Sequence, residues 1–168
     1  GQGFDRIVVG YGFCGKGLVG ARAAEQPLVI PMVPDCIALL LGSAERYREL
    51  RAQEPGTYFL TRGWVEHGGG PLDKAAAYRA ALGRAGAASA VRRELRHYKR
   101  LLWIETNVDP DGRFQARARE QARSLGLSFE AVTGDPGLLA EMLRGGGDGR
   151  FRVIPPGASV GADMYLDL

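Results

Sequence analysis

The sequence predicts an α/β fold, an open and mostly parallel sheet with helices on both faces, in the manner of a Rossmann-like three-layer sandwich. Three observations predict it. Short apolar runs alternate with helical patterns along all 168 residues. Several of those runs are apolar at every position, as strands buried on both faces must be. Many of the 25 glycines follow the runs directly, where a turn needs positive φ or a backbone comes close to a ligand.

The elements follow in order. Arg6 to Gly10 ("RIVVG") reads as the first strand, and Leu18 to Glu25 as a short helix after it. Leu28 to Ile30 is the second strand. "CIALLLG" then begins an apolar helical run with Asp35 as its N-cap. Ser43 caps a helix from Ala44 to Gln53, which Pro55 and Gly56 stop. Thr57 to Thr61 ("TYFLT") is the third strand. Residues 73 to 99 hold two helices broken near Gly83 to Gly86. Leu101 to Thr106 ("LLWIET") is the fourth strand. Phe114, Ala118, Ala122 and Leu125 share one face of a helix that Gly126 ends. Leu127 to Val132 is the fifth strand, Asp135 and Pro136 open a helix to Leu143, and Phe151 to Ile154 is the sixth strand.

These elements make one α/β domain over residues 1–168. The chain starts only a few residues before a core strand, which predicts a natural N-terminal extension. A net charge of +3 and a pI near 9.1 are too mild for a nucleic-acid-binding protein without a concentrated patch. The densest basic run, "RRELRHYKR", reads as a solvated helix face with Val91, Leu95 and Tyr98 turned inward. The longest apolar run is broken by Pro31, Pro34 and Asp35, so no membrane span is expected. Two cysteines make no disulfide framework, and a cytoplasmic location is the expectation. The Gly- and Pro-rich tail from Pro155 is placed to lie across a sheet edge or the mouth of the site, or to pair with another copy in a homo-oligomer.

In open sheets ligands bind at the carboxyl ends of the strands. The connections there carry Cys14 after the first strand and Asp35 with Cys36 after the second. Arg62, Trp64, Glu66 and His67 follow the third, and Glu105 ends the fourth. If the first two strands are neighbours, the two thiols converge. Trp64 either covers a planar ligand or caps the core, and His67 is either a ligand or a solvated loop residue. Glu105 is a general base if burial raises its pKa, and otherwise caps its loop.

"GYGFCGKG" admits three readings. Gly10, Gly12 and Gly15 form G-x-G-x-x-G, a dinucleotide turn, although Asp35 comes late for the ribose acid and Gly17 and Gly20 weaken the helix that should face phosphate. Gly10, Gly15 and Lys16 form most of a P-loop, but Gly17 stands where its magnesium-binding hydroxyl belongs. The third reading is a thiol site, in which Cys14 among backbone donors and Cys36 at a helix start both favour ionised sulfur. With His67 or a carboxylate they would hold zinc or a softer metal. Against all three stands the plain reading of free cysteine as a small buried hydrophobe.

"GYGFCGKG", "PDCIALLLGS" and "GTYFLTRGW", in that order, resemble the domain of unknown function 1638 family, with "LLWIET" and "VTGD" fitting its later strands. The resemblance implies ligand-binding roles for Tyr11, Gly12, Gly15, Asp35, Thr61 and Trp64, beside Cys14 and Cys36. Lys16 departs from the family's Asn and Arg62 from its Pro. Pro34 stands where His or Asp is frequent, so one metal ligand of that pattern is missing. Genes of the family often neighbour corrinoid-dependent methyltransferase systems. That association makes a corrinoid protein or a methyltransferase the expected partner, in methyl or one-carbon metabolism.

Overall fold

The computed structural model describes residues 3–146 and 149–165. The described chain packs as two compact units. One comprises the residues up to Arg48 and those from Asp135 onward, and the other is Glu49–Gly134. The chain is a mixed α/β protein, and among the described residues three of the four pairings between strands are parallel. The strands are divided between two three-stranded sheets, one in each unit.

In the first unit, β1 (Ile7–Val8) lies parallel to β2 (Leu28–Pro31), with Ile7 opposite Leu28. β6 (Phe151–Ile154) lies antiparallel on the other side of β2, with Leu28 opposite Ile154. Every residue of β2 is buried, as a central apolar strand should be. Ala23, Leu28, Ile30, Ile154 and Val160 form the core of this unit. Helix α1 (Cys36–Leu41) starts at Asp35, whose Oδ1 accepts from the amides of Ile37 and Ala38 at 2.9 and 3.3 Å. Gly42 ends it in the left-handed conformation.

The expected helix from Leu18 to Glu25 is not formed. Residues 21–23 instead pair with the tail. The amide of Ala23 donates to Ala158 at 2.9 Å, that of Val160 to Ala21 at 2.9 Å and that of Gly157 to Ala23 at 2.8 Å. Two glycines, Gly17 and Gly20, remove helix propensity, and the tail supplies the hydrogen bonds a helix would have made. The tail thus lies along this segment of its own unit.

Helix α2 (Ala44–Gln53) carries the chain into the second unit, where β3 (Thr57–Leu60), β4 (Arg100–Glu105) and β5 (Ser128–Thr133) form an all-parallel sheet. Leu101 to Ile104 in the central strand are fully buried. Helix α3 (Arg62–Glu66) and helix α5 (Arg113–Leu125) pack together, and α5 also covers β4 and β5. Ala118 and Ala122 of α5 join Leu60, Val65, Leu101 and Trp103 in one core. Asp109 caps α5 through the amides of Phe114 and Gln115, at 3.4 and 2.9 Å. Between β3 and β4, α4 (Pro71–Leu95) is broken at Gly83, within the expected interval, and its halves are tied by Lys74 and Tyr78 to Glu94 at 2.7 and 2.9 Å. Helix α6 (Gly137–Leu143) returns the chain to the first unit, its Gly137 amide held by the Asp135 carboxylate at 2.7 Å. Among the described residues no helix is long and apolar enough to cross a membrane.

Candidate functional site

The adjacency of β1 and β2 decides the geometry. The connections leaving their carboxyl ends run side by side. The Phe13 amide donates to Val33 at 3.0 Å, and the Cys14 amide to Pro34 at 2.9 Å. Gly12 permits this approach. A Cβ at Gly12 would lie 2.8 Å from the Cα and carbonyl carbon of Asp35, closer than a methyl and a rigid backbone can come.

After Gly12 the loop turns left-handed. Cys14, Gly15 and Lys16 have φ of 37, 67 and 73°. For Cys14 and Lys16 this conformation costs on the order of 1–3 kcal/mol each unless the surroundings impose it. The surroundings are the two ladder bonds just described and the Phe13 carbonyl, which accepts from Lys16 and Gly17 at 2.9 and 3.2 Å. Gly17 closes the turn under Tyr11, since a Cβ there would meet that ring at 2.9 Å. The glycines therefore serve close approach and a tight turn. No helix follows to present its N-terminus to a pyrophosphate, which removes the element that the dinucleotide reading requires.

The fold brings three chemical groups together here. Cys14 and Cys36 are both half-buried free thiols. The Tyr11 hydroxyl and the Cys36 thiol both lie near the Cys14 sulfur. Tyr11 is 42% exposed, so its ring lies open to solvent beside the pair. Burial pushes the Cys36 thiol up to about 11, with Cys14 and then the Asp35 carboxylate adding to the effect. The helix start was expected to favour an ionised Cys36. Desolvation and the neighbouring negative charge outweigh it, and Cys36 keeps its proton at neutral pH. The Tyr11 hydroxyl is also raised, chiefly by Cys14.

Asp35 is occupied otherwise. One carboxylate oxygen caps α1, and the other accepts from the Tyr47 hydroxyl at 2.8 Å. Tyr47 was missed in the sequence. Its signal was its solitude, since it is the one aromatic in the polar helix "AERYRELRAQ" and it is buried.

The remaining predicted residues belong to the second unit. Thr61 is buried and precedes α3, where its carbonyl accepts from Val65 at 3.2 Å. Trp64 is half-buried against the core of Leu60, Val65 and Trp103. His67 is exposed at the end of α3. The Glu105 carboxylate accepts from the Trp103 indole at 3.2 Å and from the Asn107 amide at 2.7 Å, which is the loop-capping arrangement. Among the described residues no group of three or more His, Cys, Asp or Glu side chains is placed to hold a metal ion. Cys14 and Cys36 stand as a pair of sulfurs.

The family described as "Protein of unknown function (DUF1638)" matches residues 2–143. The chain belongs to that family. No curated protein and no solved structure matches it.

Proposed function

We propose that this chain is a binding protein for a soft metal ion, held between the sulfurs of Cys14 and Cys36. The observation that carries the reading is the meeting of both thiols of the chain at the carboxyl ends of β1 and β2. The donor set bears on which ion fits. Two sulfurs without a third His, Cys or carboxylate among the described residues suit a two-coordinate soft ion such as monovalent copper. Zinc asks for four ligands and fits this pair poorly. Bound there, the ion would draw charge from two thiolates. The Tyr11 hydroxyl would stand beside the Cys14 sulfur as a donor, and the left-handed loop would fix that sulfur's direction. A cytoplasmic setting in corrinoid-linked methyl or one-carbon metabolism, with a corrinoid protein or methyltransferase as partner, belongs to the same reading. Its support is the gene association of the family.

The test is metal binding by the reduced, metal-free chain. Titration with monovalent copper against a colorimetric chelator should load one ion per chain, with zinc held far more weakly. Cys14→Ser and Cys36→Ser should each abolish loading, because one sulfur cannot replace two. Equal copper uptake by wild type and both variants, or none by any of them, would overturn the reading.

A further inference from the structure

We infer that the second half of α4, residues 84–95, is a docking face for an acidic helix of a partner protein. The inference uses no residue of the thiol pair. It starts from where the chain keeps its charge. Pro71 to Lys99 holds seven lysines and arginines against two carboxylates, whereas the whole chain has a net charge of only +3. Both of those carboxylates are engaged. Asp73 accepts from Arg117 at 2.6 Å, and Glu94 from Lys74 and Tyr78 at 2.7 and 2.9 Å. Among the described residues Arg79, Arg84, Arg92, Arg93, Arg96 and Lys99 make no ion pair. Helix α5 is built the other way, with Arg113, Arg117 and Arg123 each beside a carboxylate. A helix face that only meets water carries both signs at i, i+4 spacing. Here Arg92 stands four residues before Arg96, a like-charge spacing that destabilises a free helix and that an acidic partner would relieve.

The face has a shape as well as a charge. Arg84, Ala88, Arg92 and Arg96 follow one another at i, i+4 spacing, with Ala85, Ser89 and Arg93 in the row beside them. All seven are exposed, whereas Ala87 is buried and Val91, Glu94 and Leu95 are half-buried on the inward side. The middle of the exposed face is thus Ala85, Ala88 and Ser89. Arg84 stands at one end, and Arg92 lies about 12 Å further along the axis. Side chains this small let a second helix come close to the backbone, where its carboxylates reach the arginines at both ends. The helix that fits has Asp or Glu about two turns apart and small residues between them.

Other occupants fit less well. A second copy of the chain would set arginine against arginine. Single-stranded nucleic acid stacks its bases on aromatic rings, but Tyr78 is turned to Glu94, and Tyr98 to Tyr58 at 5.1 Å between ring centroids. A membrane surface takes bulky apolar side chains beside the cations, and this face offers alanine and serine.

The experiment follows the fluorescence anisotropy of a labelled alanine-rich helical peptide with glutamate pairs two turns apart, added to the full chain at low salt. A lysine counterpart of the peptide, duplex DNA and phosphatidylserine vesicles are measured beside it. The glutamate peptide should bind, the lysine peptide should not, and binding should weaken as salt is raised. The triple variant Arg84→Gln, Arg92→Gln, Arg93→Gln should weaken binding about ten-fold, since three exposed ion pairs are lost together. Ala88→Leu should also weaken it several-fold by filling the middle of the face, an effect that charge attraction alone would not show. All four positions are exposed and receive good helix formers, and urea unfolding confirms that each variant is folded. Copper loading by the triple variant should equal that of wild type, so its loss of peptide bears on this face alone. Any of four results would overturn the inference: no binding of the glutamate peptide, binding unmoved by Ala88→Leu, tighter binding of DNA or vesicles than of the peptide, or self-association of the chain that the triple variant abolishes.

Discussion

At the end of β1 the reactive groups face one another, whereas at the end of β4 they face the backbone. Cys14 lies beside the Tyr11 hydroxyl and the Cys36 thiol, partly open to solvent in a left-handed turn. Glu105 occupies the corresponding place in the second unit, but its oxygens are spent on the Trp103 indole and the Asn107 amide. Arg62, also on that rim, pairs with Glu66 at 3.0 Å and donates to the Val108 carbonyl. Both places lie at the carboxyl ends of parallel strands, where the fold tends to put function. Position supplies only the opportunity. Whether polar groups are left facing solvent or are consumed by loop closure separates a site from a brace.

The largest effect should come from breaking the first region. Gly12→Ala sets a methyl 2.8 Å from the Asp35 backbone, and neither side can yield as a flexible side chain would. We expect a loss of about 1–3 kcal/mol in urea unfolding. In whatever folds, copper loading should be lost. A variant that is fully stable and still loads copper would show that the two connections do not depend on this contact.

The second test sharpens the comparison through pH. The Cys36 thiol ordinarily ionises near 9.0 and is held up to about 11 in the folded chain. Folding thus favours the protonated thiol. That contribution is whole below about pH 9 and is lost as pH climbs toward 11. The urea midpoint should fall across this window, and Cys36→Ser should flatten the fall relative to wild type. Parallel curves for the two proteins would mean that Cys36 ionises in the folded chain as freely as in the unfolded one.

The smallest effect belongs to the second region. Glu105→Gln keeps a carbonyl oxygen for one of the two donors, so stability should drop by about 1 kcal/mol. Copper loading should not change. A large loss of loading with intact stability would make Glu105 part of the site.

The six strands and the breaks near Gly83 and Gly126 were legible in the sequence because each had a local cause. Short apolar-rich runs made the strands, and glycine ended or interrupted the helices. Asp35 was legible as a cap because it stands directly before "CIALLL". The helix expected over Leu18 to Glu25 failed for a non-local reason, since its hydrogen bonds go to residues 157–160 of the tail. Arg100 was illegible for the same kind of reason. It is 5% exposed, and its guanidinium reaches Thr57, Glu130 and the Leu50 carbonyl at 3.0, 2.8 and 2.8 Å. No local pattern announces three partners drawn from three elements. The convergence of the cysteines could be posed in the sequence as a question of strand adjacency. That Cys36 would hold its proton could not, because that depends on the burial of its thiol.

The pairing of β2 has a consequence for the order of events in the chain's synthesis. β2 meets β1 a short way back along the chain, but it meets β6 only after the whole of Glu49–Gly134 has been made. The intervening unit is continuous and all its strand partners lie within it, so it can close its core first. The first unit must wait for its final strand, and closing so long a loop is slow. During that wait β2 presents an open apolar edge, while the ladder that aligns Cys14 with Pro34 is already complete in sequence. Both connections that carry the cysteines therefore precede in the chain the strand that completes the sheet beneath them.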